Sequence, residues 1–345
     1  MAPEPIRPGP ISPGPRNLLT DVDGILVGHA EDHRVRTGVT VVLPEPRCAA
    51  AADVRGGAPG TMNIDALDPT SLRHEVDAVV LSGGSMYGLG AAMGVVAELG
   101  ARGRGIAFGG AVIPVVPAAI LFDLSNGGDK AWGVSPPYDA LGRAALAACG
   151  PGAFALGNAG AGLGARSGRL KGGLGSASTV TAEGWQVGAL VAVNSFGSAV
   201  MPGTDRFWAG PLEMGEEFGG LGPPPADWRG APEMPTPPSF APDPMANTTI
   251  AVVAVNAALD KGQARRLAIM AQDGLARAIR PIHTPFDGDT VFVLGTGRMP
   301  LTGPAMLARL GHLAADTLAR AVARGVFHAE SLGDRPGWRD ARGAA

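Results

Sequence analysis

The sequence predicts an α/β protein in which helices cover sheets, and three observations carry that reading. Short β-branched stretches recur along the chain, alanine- and glycine-rich segments of helical period lie between them, and the two do not alternate as strict βαβ units. The 345 residues suffice for a large core, as one large domain or two small ones. Apolar residues make up 46% and charged residues 17%, a globular rather than a disordered composition. The 53 glycines point to sharp turns and close backbone approaches, which favours a layered, loop-rich enzyme over a helical bundle.

In chain order, residues 1–16 alternate proline with other residues and read as an extended tail. They lack the apolar core of a signal peptide or a transmembrane helix. Residues 24–27, 38–43, 78–81, 187–194 and 248–256 have strand length and are bounded by Gly, Pro or Asp. Helical spacing runs through 87–99, through 139–148 with Asp139 as cap, and through 260–280 with Asp260 as cap. A polar turn at 285–290 leads into a strand at 291–294, and a last helix over 304–324 closes the fold. Residues 201–245 differ from all of these: dense in proline and without period, they read as a long loop or linker.

The net charge is -3, and no Lys/Arg cluster exceeds short pieces such as Arg265-Arg266, so nucleic acid has no electrostatic footprint here. The longest apolar run, 111–122, is interrupted by Pro114 and Pro117 and is too short to cross a bilayer. A soluble, cytoplasmic protein is therefore expected. Cys48 and Cys149 form no C-x-x-C and read as two buried thiols.

The proline-rich stretch runs straight into Ala246-Asn247-Thr248-Thr249-Ile250 and an apolar strand. Threonine is a weak nucleophile unless a base takes its proton. Cleavage before Thr248 would supply one, because a terminal α-amine has an unperturbed pKa of about 7.7–8.0. Asp287-Gly288-Asp289 admits a metal site, a solvated turn or a pair that orients a nucleophile. EF-hand spacing and an H-E-x-x-H helix are both missing, and on the residues alone the turn is favoured. His283, just before it, reads as structural. Residues 81–90, Leu-Ser-Gly-Gly-Ser-Met-Tyr-Gly-Leu-Gly, lack both a P-loop ending and a G-x-S-x-G frame, and read as a tight strand-to-helix turn beside a pocket.

Ordered blocks along the chain resemble the L-aminopeptidase/D-esterase family, which also holds the β-aminopeptidases and the endo-type nylon-oligomer hydrolase. They are Thr20-Asp21-Val22-Asp23-Gly24 with Val27-Gly28-His29, residues 53–60, residues 82–90, Gly160-Ala161-Gly162, residues 171–175 and the Asn247-Thr248 junction. The resemblance implies a four-layer αββα sandwich similar to N-terminal-nucleophile hydrolases but differently connected. It implies a single domain, 17–345, cleaved into 17–247, with the proline-rich arm, and 248–345. A homotetramer of such cleaved heterodimers is expected, with no cofactor and no metal.

Residue by residue, Thr248 matches the nucleophile, Asn194 the asparagine that supports the oxyanion, and Asp287 and Asp289 the pair beside the nucleophile, in the version of the nylon-oligomer hydrolase. Lys171 matches the active-site lysine when a gap is placed beside it. Tyr87 and Phe122 fall at the substrate pocket. The family pattern Ile-Tyr-Asp-Leu stands here as Leu121-Phe122-Asp123-Leu124, so a tyrosine hydroxyl is replaced by a phenyl ring. The implied activity is hydrolysis of a small peptide or linear amide through an acyl-enzyme on Thr248. The rivals are an ornithine-type acetyltransferase with a self-released threonine and an inactive scaffold of the same fold.

Overall fold

The computed structural model describes residues 9–230 and 247–342. The elements that carry the fold are, in chain order, β1 (Ile25–Asp32), β2 (Thr37–Pro44), β3 (Cys48–Val54), β4 (Val79–Ser82), α1 (Gly90–Ala101), β5 (Ala118–Ile120) and α2 (Tyr138–Ala147). They continue with β6 (Gly173–Thr181), β7 (Gln186–Asn194), β8 (Thr248–Ala258), α3 (Lys261–Ala278), β9 (Thr290–Pro300) and α4 (Pro304–His328). One sheet has the order β6-β7-β8-β9-β3, with the short strands Ile11–Ser12 and Glu75–Val76 at its two edges. The other has the order β1-β2-β4-β5, edged by Thr61–Met62.

Alternation along the strands explains why the sheets stack and why helices cover them. In β7, Val187, Ala189, Val191 and Val193 enter one apolar core, while Leu190 and Ala192 enter another. In β8 the same split separates Ala251, Val253 and Val255 from Ile250, Val252 and Ala254. Successive side chains of a strand point to opposite faces, so each central strand feeds two cores. The first core holds the apolar faces of α3 and α4, through residues such as Leu267, Leu275, Leu310 and Leu318. The second lies between the sheets and takes Val27, Val42, Val79 and Leu81 from the far side. A third joins Val39, Val41 and Val80 to Val95 of α1 and Leu146 of α2. Three cores between four layers make an αββα sandwich.

The helix over 260–280 begins as expected. Asp260 accepts the N–H of Gln263 at 2.7 Å while the Gln263 amide accepts that of Asp260 at 2.9 Å, a reciprocal cap. Asp139 does not cap α2: Pro137 holds that place, and Asp139, one residue into the first turn, pairs with Arg143 at 2.9 Å. The helix expected over 87–99 starts as a 3-10 turn, Ser85–Leu89, before α1. Cys48 is buried, but Cys149 is only half-buried, and both are free.

Of the proline-rich tail, residues 1–8 lie outside the described residues. Ile11 and Ser12 pair with Thr181 and Val180 of β6, so the stretch from residue 9 is docked on the sheet edge. Of the arm, residues 231–245 likewise lie outside the described residues, as does Ala246, and its first part is packed rather than loose. Phe207 and Phe218 are buried edge to face, 5.5 Å apart, and Glu217 pairs with the fully buried Arg320 of α4 at 2.5 Å. Among the described residues, no helix is long and apolar enough to cross a membrane.

Candidate active site

Strand register assembles the site. β7 and β8 run antiparallel, with Asn194, the last residue of β7, opposite Thr248, the first of β8. Directly opposed residues bring their Cβ atoms to about 4.5–5.5 Å on one face. Both positions continue the even-numbered series that faces the space between the sheets, so both side chains open toward that interior. On the other flank β9 runs parallel to β8, and Asn247 forms a lone bridge with Asp287, which places Asp287-Gly288-Asp289 beside the junction.

Around the bond before Thr248, three groups converge. Asn247 and Thr248 are buried, at 5% and 3% exposure. The Thr248 hydroxyl is in contact with the carbonyl oxygen of Asn247, and the N–H of Gly288 donates to the same oxygen at 3.1 Å. Only a residue without a side chain fits here, since a Cβ on Gly288 would stand 2.8 Å from Thr248 Oγ1 and 2.7 Å from the Ala58 carbonyl oxygen.

Asp287 and Asp289 are fully buried, so the solvated-turn reading does not hold. Each carboxylate is saturated with donors. Asp287 accepts from the N–H of Phe196 at 3.2 Å and from the N–H and hydroxyl of Thr284 at 2.9 and 2.6 Å. Asp289 accepts from the N–H of Thr249 at 2.7 Å through Oδ1; its Oδ2 takes the N–H of His283 at 3.0 Å and faces His283 Nδ1 at 2.8 Å. Burial and the charge of Asp289 together raise the pKa of Asp287. The donors hold the loop 283–289 against the start of β8.

Asn194 spans the two sheets. Its Oδ1 accepts the N–H of Arg166 at 3.0 Å, and its Nδ2 donates to the carbonyl of Phe122, just past β5, at 3.1 Å. Phe122, Asn194, Arg166, Ser125, Asp334 and Arg335 share the wall of a cleft of about 40 Å³. Lys171 is buried on the short strand Leu170–Lys171, opposite Arg166, with Nζ donating to the carbonyls of Gly162 and Gly172 at 2.9 and 2.7 Å. Burial pushes its amine down to about 7, against a pull upward from Asp123. Asp123 is itself raised by burial and held by the Thr37 hydroxyl at 2.6 Å and the Gly84 N–H at 2.8 Å.

The structure thus brings Asn194, Thr248, Asp287 and Asp289 to one sheet end and sets Phe122 beside Asn194. Tyr87 stands on the 3-10 turn Ser85–Leu89, half exposed, with its ring edge-on to Trp132 at 5.6 Å. Sequence reasoning did not point to the Gly288 N–H, the Thr249 N–H or the buried Asp123, and it read His283, whose imidazole meets Asp289, as structural. Only the last had a local signal, a titratable ring six residues before a carboxylate, and that signal alone does not show contact.

The sequence profile of peptidase family S58 matches residues 17–339. An uncharacterized aminopeptidase of Mycobacterium tuberculosis (strain ATCC 25618 / H37Rv) is 46% identical, over 94% of this chain and 97% of its own. A 6-aminohexanoate-oligomer endohydrolase of Paenarthrobacter ureafaciens is 30% identical, over 84% of this chain and 78% of its own. Among solved structures, a β-aminopeptidase of Burkholderia sp. superimposes with a TM-score of 0.72 at 24% identity, over 98% of this chain and 95% of that one. An L-aminopeptidase D-Ala-esterase/amidase of Ochrobactrum anthropi, a variant of the Ntn hydrolase fold, gives 0.69 at 22%, over 96% and 91%. The two structures establish the fold, an Ntn-hydrolase-type sandwich. None of these matches supports the acetyl-transfer alternative.

Proposed function

The chain belongs to peptidase family S58 and is a hydrolase of amide bonds; from that premise we propose that it cleaves itself between Asn247 and Thr248 and then uses Thr248 as its nucleophile. One observation carries the reading: the Thr248 hydroxyl and the Gly288 N–H both meet the carbonyl oxygen of the bond to be cut. The N–H polarises that carbonyl and stabilises the negative charge that develops on its oxygen under attack. Thr248 Oγ1 bonds to the Asn247 carbonyl carbon, the hydroxyl proton passes to the Thr248 nitrogen, and the C–N bond breaks to leave an ester and a free amine. Water opens the ester and leaves the Asn247 carboxylate.

In the mature enzyme the freed amine takes the Thr248 hydroxyl proton, and Oγ1 attacks a substrate amide. Asn194, opposite Thr248, donates its amide to the oxyanion. The protonated amine delivers its proton to the departing substrate nitrogen, and water then releases the acyl group. The two aspartates keep the loop and the start of β8 in register, and Lys171 is assigned to the same site on the resemblance alone. We assign small amides with a free amino terminus, and linear ω-amino-acid oligomers, as substrates. Support comes from the two named activities among the relatives. A homotetramer of cleaved heterodimers belongs to the same reading.

The test is mass spectrometry of the purified protein beside Thr248→Ala. Parent protein should yield residues 1–247 and 248–345, roughly 25 and 10 kDa by share of length, while the variant stays whole. A variant that is cut at this bond removes Thr248 from the mechanism. Processed enzyme should then turn over amino-acid p-nitroanilides, β-alanine dipeptides and aminohexanoate oligomers faster than denatured casein; equal or faster turnover of casein counts against a narrow site.

A further inference from the structure

His283 stands in a left-handed backbone conformation, with φ +57°, and its side chain is about one-fifth exposed. A non-glycine residue in that region is strained and persists where the surroundings over-determine it. Here both donors of one residue converge on one oxygen: the backbone N–H and Nδ1 of His283 lie 3.0 and 2.8 Å from Asp289 Oδ2. The other oxygen of the same carboxylate holds the N–H of Thr249, one residue after the candidate nucleophile, at 2.7 Å. The next residue, Thr284, repeats the pattern with its N–H and hydroxyl on Asp287. The dipeptide His283-Thr284 is therefore a clamp on both carboxylates.

We infer that His283 is a positioning residue of this hydrolase: its imidazole, with Nδ1 protonated, locks the rotation of the Asp289 carboxylate, which in turn fixes Thr249 and so the place of the Thr248 hydroxyl. This rests on the reading of Thr248 as nucleophile. A carboxylate's terminal torsion is broad and nearly two-fold, and without the imidazole the Oδ2 end of Asp289 rests on the single backbone N–H of His283, a looser hold on its plane. The bond to Thr249 then wanders with it. A displacement of the nucleophile by about 1 Å lowers a rate on the order of a hundredfold.

Two substitutions separate the ring from the backbone. His283→Gly keeps the left-handed conformation and removes the imidazole, while His283→Asn tolerates the same conformation and returns a side-chain N–H near the position of Nδ1. Self-cleavage is timed by gel, and kcat and KM are measured on a small amide after processing, with melting temperature as the check on folding. We expect His283→Gly to slow cleavage and lower kcat about 10–100-fold with KM little changed. His283→Asn should recover most of that loss, and added imidazole should partly rescue His283→Gly. Parental rates in His283→Gly, or a His283→Asn no faster than His283→Gly, overturn the inference. If His283→Gly does not fold, His283→Asn against His283→Leu carries the comparison, and equal rates overturn it as well. Parent and Thr248→Ala run alongside: a parent that never cleaves defeats the reading of Thr248, whereas a cleaving parent matched by His283→Gly defeats only the role of His283.

Discussion

Replacing Lys171 with methionine should change how stability depends on pH. Burial lowers the Lys171 amine from 10.5 to about 7. Between those values the unfolded chain keeps the proton that the folded chain has shed, so the unfolded state binds more protons and stability rises with pH. The slope from this one group is at most about 1.4 kcal/mol per pH unit, or on the order of 4–5 kcal/mol across the window. Below pH 7 both states are protonated and the full penalty of burying the charge stands; above 10.5 it is gone. Methionine removes this dependence but takes the amine donor from two carbonyls, that of Gly162, which keeps the N–H of Ala165, and that of Gly172, at a cost of about 1–3 kcal/mol. That second loss does not vary with pH, so the difference between parent and variant isolates the amine. Urea unfolding at pH 7, 8, 9 and 10, with Thr248→Ala in both proteins to keep the chain in one piece, gives the two curves. The parent should gain on Lys171→Met as pH rises. Parallel curves would refute the reasoning and mean that Lys171 stays charged in the fold, paired with Asp123.

Asn194→Ala should lower kcat about 10²–10³-fold if its amide supports the oxyanion, and an unchanged kcat on a p-nitroanilide would strike it from the site. Asp287→Ala and Asp289→Ala should each slow self-cleavage and catalysis by about a hundredfold while the protein stays soluble; parental rates in both would leave the pair a purely structural loop. Each also strips acceptors from buried donors, so melting should fall in step with a loss on the order of 1–3 kcal/mol per orphaned donor. Phe122→Tyr, which restores the hydroxyl of the related pattern beside Asn194, should raise kcat on at least one substrate, and a lower or equal rate throughout would show a pocket organised around the phenyl ring.

β7 and β8 were readable because β-branched residues recur over strand-length stretches bounded by Gly, Pro or Asp. β3 and β6 were not, since Cys-Ala-Ala-Ala-Ala-Asp-Val and Gly-Leu-Gly-Ser-Ala-Ser-Thr-Val-Thr carry few β-branched residues. Their smallness has a non-local cause: α4 lies so close to β6 that a Cβ on Gly175 would meet the carbonyl oxygen of Ala321 at 1.9 Å. The site divides in the same way. Thr248 and Asn194 fall at strand ends that the pattern locates, and the resemblance names their roles. Burial of Asp287 and Asp289 depends on β8 and on the loop from Thr284, so composition around them suggested a solvated turn. Nothing in the neighbourhood of His283 along the chain reveals the left-handed backbone that turns two donors onto Asp289.

The order β7-β8-β9-β3 has a consequence for the protein's life after the cut. β8 and β9 follow the proposed cleavage point and β7 and β3 precede it, so the C-terminal piece is threaded into the middle of a sheet whose flanks belong to the other piece. Before scission, unfolding is a unimolecular event that the chain can retrace. Afterwards two polymers must find each other, and regaining the sheet becomes concentration-dependent. Scission would thus convert a refoldable chain into an enzyme whose endurance is set by how slowly it comes apart rather than by how readily it reassembles.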